Sequence, residues 1–424
     1  LPAVTEFNPE APGQWAPVMR QCAGRLAATI DRPAMTPQLL PPRREGRTAP
    51  TRQNLTSTVA LLNDTTNWYH FGCTGTSLAI HHQLRARGHS VASVPLSSID
   101  RVTLLPDSLE AFDDDRFFQR FADAHPDMLA ALDCAETVYV NGEGTLHRLN
   151  PQPLALLYLM RMASTRLGKP VRVINHSCYP EGHADAAPGI ATRVYRHVYH
   201  DLDDIAVREP TSATVLRGMG LNVRDSFDCL PLYIDEQLER RPADEAPYVV
   251  IAGGVAWSEA VLPALVALIH RIRHLGYAAR VVCGANAFPA VDESAFVNAL
   301  WSACAEPLDL VLATSESDWL NQIANASLVV SARFHHSIAA AFLGTPFLVS
   351  QSNTPKIGGL LDRLSLDALV ALPERTDAAE HSRFQDELIG RSETCLKSPD
   401  DHVLRADVRE GLLALSRANF ETVS

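Results

Sequence analysis

The chain has 424 residues, 46% of them hydrophobic and 20% charged, with a formal net charge of -12. That length exceeds one ordinary core and predicts two domains in a protein of soluble, globular composition. The acidic balance, with no Lys/Arg-rich face to neutralise phosphates, excludes nucleic acid as the main partner and suits a small anionic ligand held by a few concentrated cations. The eight cysteines, scattered from Cys22 to Cys395, form no CxxC pair, so neither a zinc site nor a disulfide framework is signalled and a reducing, cytoplasmic setting is expected. No apolar run approaches the roughly 20 residues of a membrane span, and the first residues do not read as a signal sequence, so any membrane contact is expected to be peripheral.

Residues 1–54 are rich in Pro and Arg without a hydrophobic period and read as an extended or disordered leader. From Ser57 strands alternate with helices. Strands are predicted at Val59–Asn63, Ser90–Leu96, Thr137–Asn141, Val171–Asn175 and Ile205–Val207. Helices are predicted at Thr76–Gly88, Pro153–Leu167, Ile190–Tyr199 and Thr211–Arg217. An acidic, Pro-containing stretch from Asp235 to Pro247 then separates a first Rossmann-like domain, 55–235, from a second, 246–375. In the second, Tyr248–Gly254, Ala279–Cys283, Leu308–Leu312, Leu328–Ser331 and Phe347–Ser350 read as strands with helices between them. Residues 376–424 form a C-terminal segment, expected to be helical and to pack back across the first domain. The fold class is α/β: two doubly wound Rossmann-like domains facing across a cleft, with ligands at the carboxyl ends of the strands.

The polar motifs all fall at predicted strand ends. Asn63-Asp-Thr-Thr-Asn-Trp-Tyr-His-Phe-Gly-Cys-Thr-Gly-Thr76 is a loop whose backbone could cradle a phosphate or sugar hydroxyls, with Asn67 a candidate ligand contact and Asp64 a candidate base. Its bland reading is an ordinary strand-to-helix turn capped by Thr. In Asn141-Gly-Glu-Gly-Thr-Leu-His147 two glycines flank Glu143, a candidate acid or base, with His147 as a partner; the turn could also be purely conformational. His176, after the strand Val171–Asn175, is a candidate phosphate donor or proton carrier, or a buried histidine satisfied by a carbonyl. Arg208 ends a strand just before the Pro210 helix, whose N-terminus would join it in facing an anion; a plain Arg–Glu pair is the alternative. The densest motif is Ser331-Ala-Arg-Phe-His-His336, where Arg333, Phe334, His335 and His336 open a small-residue helix, followed by Asn353 and Lys356 after the next strand. Cations at a helix N-terminus are a natural anion seat.

Taken together, Gly142-Glu-Gly-Thr-Leu-His147, Val207-Arg-Glu209, Ser331-Ala-Arg-Phe-His-His336 with Ala-Phe-Leu-Gly-Thr-Pro346, and Lys356 resemble the polysaccharide pyruvyl transferase family, from about Val59 to Leu364. The resemblance implies a glycosyltransferase-B-like fold. It also implies a transferase that moves the enolpyruvyl group of phosphoenolpyruvate onto sugar hydroxyls of a cell-surface glycan or its precursor as a ketal, with a sugar or lipid-linked oligosaccharide as acceptor. It assigns the phosphate and carboxylate of the donor to Arg208 and the Arg333-Phe334-His335 triplet, with His176 in a third anion-contacting position, and it requires neither a metal nor a cofactor besides the donor. Where the family often shows a Gly-Gly-Gly turn this chain has Gly142-Glu143-Gly144, and where the family has a tyrosine-bearing loop it has Gln351 to Lys356. His176, His335 and Glu143 form the shortlist for the general acid, and Glu143 or Asp64 for the base. Two other readings keep the fold: a glycosyltransferase using a nucleotide-activated sugar, keto-acid sugars included, and a non-catalytic carbohydrate-binding protein.

Overall fold

The computed structural model describes residues 57–242, 246–254, 259–285, 291–350, 355–372 and 378–421. The leader predicted over 1–54 and the candidate Asn353 lie outside the described residues. Strands β1 Ser57–Asp64, β2 His89–Pro95, β3 Thr137–Glu143, β4 Val171–His176, β5 Asp204–Val207 and β6 Arg224–Asp225 form one parallel sheet in the order β2-β1-β3-β4-β5-β6. Strands β7 Tyr248–Ile251, β8 Ala278–Val282, β9 Asp309–Val311, β10 Leu328–Ser331, β11 Phe347–Ser350 and β12 Leu369–Val370 form the other, in the order β12-β11-β10-β7-β8-β9. The expected pair of doubly wound domains is therefore what the chain builds. In the second sheet the order reverses between β7 and β10, which pair from Leu328 opposite Val249 to Val330 opposite Ile251, and the crevice outside such a reversal is where open α/β sheets bind ligands.

The central strands are largely apolar because helices cover both faces. Along β1, Val59 and Leu61 enter one core while Ala60 and Leu62 enter the other. The first of these cores continues from the N-terminal sheet through Phe71 and Leu230 to Trp319, Phe334 and Ile338 of the second domain. Each large side chain buried there is worth about 1.5–3 kcal/mol, so the floor of the cleft is rigid hydrophobic packing. At the C-terminus, helix Ala378–Lys397 stays with the second domain, where Arg271 Nε donates to Glu393 Oε1 at 2.6 Å. Helix Ala406–Ala418 crosses to the first: Asn175 N–H donates to Asn419 Oδ1 (2.8 Å) and Ser416 Oγ to the Asp228 carbonyl (2.7 Å). Among the described residues no helix is long and apolar enough to cross a membrane.

Candidate functional site

The strands β1, β3 and β4 each carry an asparagine one or two residues before their carboxyl end, Asn63, Asn141 and Asn175, and these side chains interlock across the sheet. Asn63 Nδ2 donates to the Asn141 carbonyl (2.6 Å), Asn175 Nδ2 donates to Asn141 Oδ1 (2.9 Å), and Asn141 Nδ2 donates to Glu143 Oε1 (3.1 Å). Thr65 Oγ1 donates to the same carboxylate oxygen at 2.9 Å. Glu143 is 5% exposed and holds φ at 38°, a left-handed backbone that costs a Glu about 1–3 kcal/mol and is found where surrounding structure enforces it. One carboxylate oxygen is thus anchored, while the residue lines an open cleft between the two domains. The Cys73 thiol stands against Glu143 there; burial first, then the carboxylate, push it well above the ordinary thiol range, so it is un-ionised.

The cations converge on Gly144. A Cβ at that position would stand 3.4 Å from Lys356 Nζ and 3.8 Å from Arg208 Nη2, so glycine leaves the ends of both side chains open to the cleft. Arg208, only 2% exposed at the end of β5, donates from Nε to Ser177 Oγ (2.8 Å) and from Nη1 to Asp228 Oδ2 (2.6 Å), which leaves Nη2 toward Gly144. Burial alone would raise the fully buried Asp228 carboxyl, but Arg208 and then His335 override it and hold it well below the usual range. Phe334 lies under both cations, 4.4 Å from the Arg208 guanidinium and 5.6 Å from Lys356 Nζ. Arg333 reaches the same cleft from the end of β10, its N–H on Ser331 Oγ (3.1 Å) and its Nη1 3.5 Å from His70 Nδ1. Three helices, Phe71–Ala86, Phe334–Leu343 and Lys356–Leu364, begin at this cleft without a side-chain cap of their own. Their first-turn N–H groups and positive ends add to the field of the cations.

The structure brings Glu143, Arg208, Arg333, Phe334, His335, His336, His147 and Lys356 into one cleft and leaves other candidates out of it. Asp64 is 5% exposed and saturated by four donors, His81 Nε2, Ser93 Oγ, and the N–H and Oγ1 of Thr66, so it has no free lone pair for a substrate hydroxyl. His176 is fully buried on Tyr199 OH (2.9 Å), under Gly142, where a Cβ would come within 2.4 Å of its Nδ1. Burial first and Arg208 next push its pKa down to about 3, which keeps the ring neutral, and it does not line the cleft. Asn67 is exposed and does not line the cleft. The N-terminus of helix Pro210–Gly218, expected beside Arg208 as an anion seat, is already taken by the Glu209 carboxylate, which accepts from Ser212 N–H (3.0 Å).

His335 is wedged between the domains, its Nε2 3.6 Å from Asp228 Oδ2 and its Cβ only 2.3 Å from where Gly72 would carry one. His336 is 1% exposed with Nδ1 2.8 Å from Ser331 Oγ, and burial and then Arg333 keep it neutral. Asp228 and Cys73 received no role from the sequence. The signal for Asp228 was a lone acid in the otherwise apolar run Phe227 to Leu232; Cys73 sat inside a motif already singled out.

The family model described as polysaccharide pyruvyl transferase matches residues 78–350 of the chain. No curated protein matches it. Among solved structures, MnaA of S. aureus with UDP is similar with a TM-score of 0.53 at 10% identity, over 84% of this chain and 95% of that one. UDP-GlcNAc 2-epimerase from Neisseria meningitidis bound to UDP-GlcNAc gives 0.51 at 10% identity over 85% and 97%. HepE of Anabaena in complex with UDP-glucose gives 0.50 at 11% over 86% and 96%. At these identities the likeness is one of fold, the two-domain glycosyltransferase-B arrangement.

Proposed function

The chain belongs to the polysaccharide pyruvyl transferase family, and we propose that it moves the enolpyruvyl group of phosphoenolpyruvate onto two hydroxyls of a sugar, forming a pyruvate ketal on a cell-surface glycan or its precursor. The observation that carries this reading is the meeting of Arg208, Arg333 and Lys356 with three helix N-termini that have no side-chain cap around one cleft. Phosphoenolpyruvate presents a carboxylate and a phosphate within a few bonds, and binding both from water takes several charge-assisted donors held in place beforehand.

In this account Arg208 Nη2, Arg333 and the helix ends hold the donor. Lys356 delivers a proton to its methylene carbon, and Glu143 takes the proton of the acceptor hydroxyl as that oxygen bonds to the central carbon. The bond from that carbon to the phosphate oxygen then breaks, inorganic phosphate leaves, and the second hydroxyl closes the ketal with loss of its own proton. Lys356 replaces the histidines of the expected shortlist. Burial first, then Arg208, push its pKa down to about 8, the range of an effective acid.

A pH signature follows. The competent form is protonated Lys356, so kcat/KM holds up to pH about 8 and then falls about tenfold per pH unit. Acceptor-dependent phosphate release from phosphoenolpyruvate, followed across pH, measures this. A profile flat to pH about 10 takes Lys356 out of the proton step, and no phosphate release with any sugar acceptor overturns pyruvyl transfer.

A further inference from the structure

We propose that the cleft wall formed by the turn after β1 and the turn after β3 is the sugar subsite, with Trp68 as the platform under one pyranose ring and His147 as the group that reads one of its hydroxyls. This rests on the pyruvyl-transfer reading and names the specificity-determining residues of the same cleft. Two tryptophans line it. Trp319 is 1% exposed, packed 6.3 Å from Phe71 and 5.2 Å from His336, and belongs to the core between the domains. Trp68 is half-buried and open to the cleft. Its backbone is clamped from both sides, the N–H on the Thr65 carbonyl (3.0 Å) and the carbonyl on Thr74 Oγ1 (3.2 Å), and the Tyr69 ring packs 4.6 Å away. The chain that carries this indole has little freedom left to lose when a ligand stacks on the ring, and an aromatic face suits the C–H face of a pyranose.

The position matters as much as the ring. Thr65, whose carbonyl holds the Trp68 N–H, is the residue whose hydroxyl donates to Glu143 Oε1, so one turn of chain sets the distance from the platform to the base. His147 approaches from the other turn. Its Nδ1 lies 2.7 Å from the Gly144 carbonyl, which can only accept, so the ring proton is on Nδ1 and Nε2 is left as an acceptor for a hydroxyl. Burial holds this imidazole below its ordinary pKa, so the acceptor form persists at neutral pH. The ligand is therefore a pyranose with an unbroken C–H face, whose diol points toward Glu143.

The test measures binding rather than turnover. Methyl glycosides of galactose, glucose, mannose and N-acetylglucosamine, with uridine and adenosine monophosphates, are titrated calorimetrically into the full chain and into Trp68→Ala and Trp68→Phe, with thermal shift by phosphoenolpyruvate recorded in parallel. The inference predicts that at least one glycoside binds the wild type, that Trp68→Ala weakens it about tenfold or more with the donor shift intact, and that Trp68→Phe recovers most of the loss. Equal glycoside binding by Trp68→Ala overturns it, as do no glycoside binding to the wild type, loss of donor and glycoside together in Trp68→Ala, or a nucleotide as the ligand that Trp68 holds. A wild type that binds a glycoside through Trp68 yet ignores phosphoenolpyruvate strikes at the donor reading and leaves this one standing.

Discussion

Glu143→Gln is expected to cut turnover by about 100-fold or more while leaving the affinity for phosphoenolpyruvate nearly unchanged, the usual worth of an acid–base group in a positioned site. The substitution is nearly isosteric, and the geometry says that it will fold. Thr65 Oγ1 and Asn141 Nδ2 both donate to Oε1, and a glutamine carbonyl oxygen can take that place with the amide nitrogen where Oε2 was. What is lost is the second oxygen as a proton acceptor in the cleft. The asparagines near the carboxyl ends of β1, β3 and β4 hold the backbone in the same left-handed turn for either side chain, so structure and donor cations stay as they were. Steady-state kinetics beside a donor titration separate the two effects. Unchanged turnover removes Glu143 from the chemistry, and a parallel loss of donor affinity makes it a binding residue instead.

Arg208→Ala is expected to do double damage. The guanidinium is 2% exposed and its partner Asp228 fully buried, so the substitution strands a carboxylate that burial already penalises. Breaking such a buried pair costs about 3–5 kcal/mol, and a melting curve should register it as a large fall in Tm. Donor binding should vanish with Nη2. Arg208→Lys should rescue neither, because an ammonium cannot span Ser177 Oγ, Asp228 Oδ2 and the cleft from one plane. The linkage has a definite sign. Asp228 titrates lower in the folded chain than in the unfolded one, so its contribution is fully present above pH about 4 and is lost as pH falls below that. If Arg208→Lys keeps both stability and donor affinity, the fork is not what the site requires.

Much of this was legible in the chain because apolar strands flanked by polar turns announce themselves. Leu328–Ser331, Phe347–Ser350 and Ile190–Tyr199 have the predicted bounds. Helix Phe71–Ala86 starts earlier than predicted, since Gly72, Cys73, Thr74 and Gly75 look like loop until they are packed, Gly72 under His335 and Gly75 against Leu230. Helix Lys356–Leu364 was hidden by Gly358 and Gly359, and at Gly359 a Cβ would come 2.7 Å from Glu209 Oε2. The cationic half of the cleft was visible as Arg208, Arg333 and Lys356 because charged residues at strand ends have few other reasons to be there. Burial was not visible. His176 and Asp64 look in sequence like His147 and Glu143, and only packing separates a ring closed off under Gly142 from one that faces the cleft. The asparagine ladder was on the page as three apolar runs that each stop at Asn, a repeat that becomes meaningful once β1, β3 and β4 are known to be neighbours.

The most direct test of the account is the thermal shift of the wild type and of Arg333→Ala with phosphoenolpyruvate, set beside a panel of nucleotides and nucleotide sugars. A ligand held at 100 times its Kd stabilises the native state by about 2.7 kcal/mol. The account predicts a rise in Tm with phosphoenolpyruvate that Arg333→Ala abolishes. A rise with nucleotides or nucleotide sugars alone would contradict it and make the cleft that of a glycosyl donor.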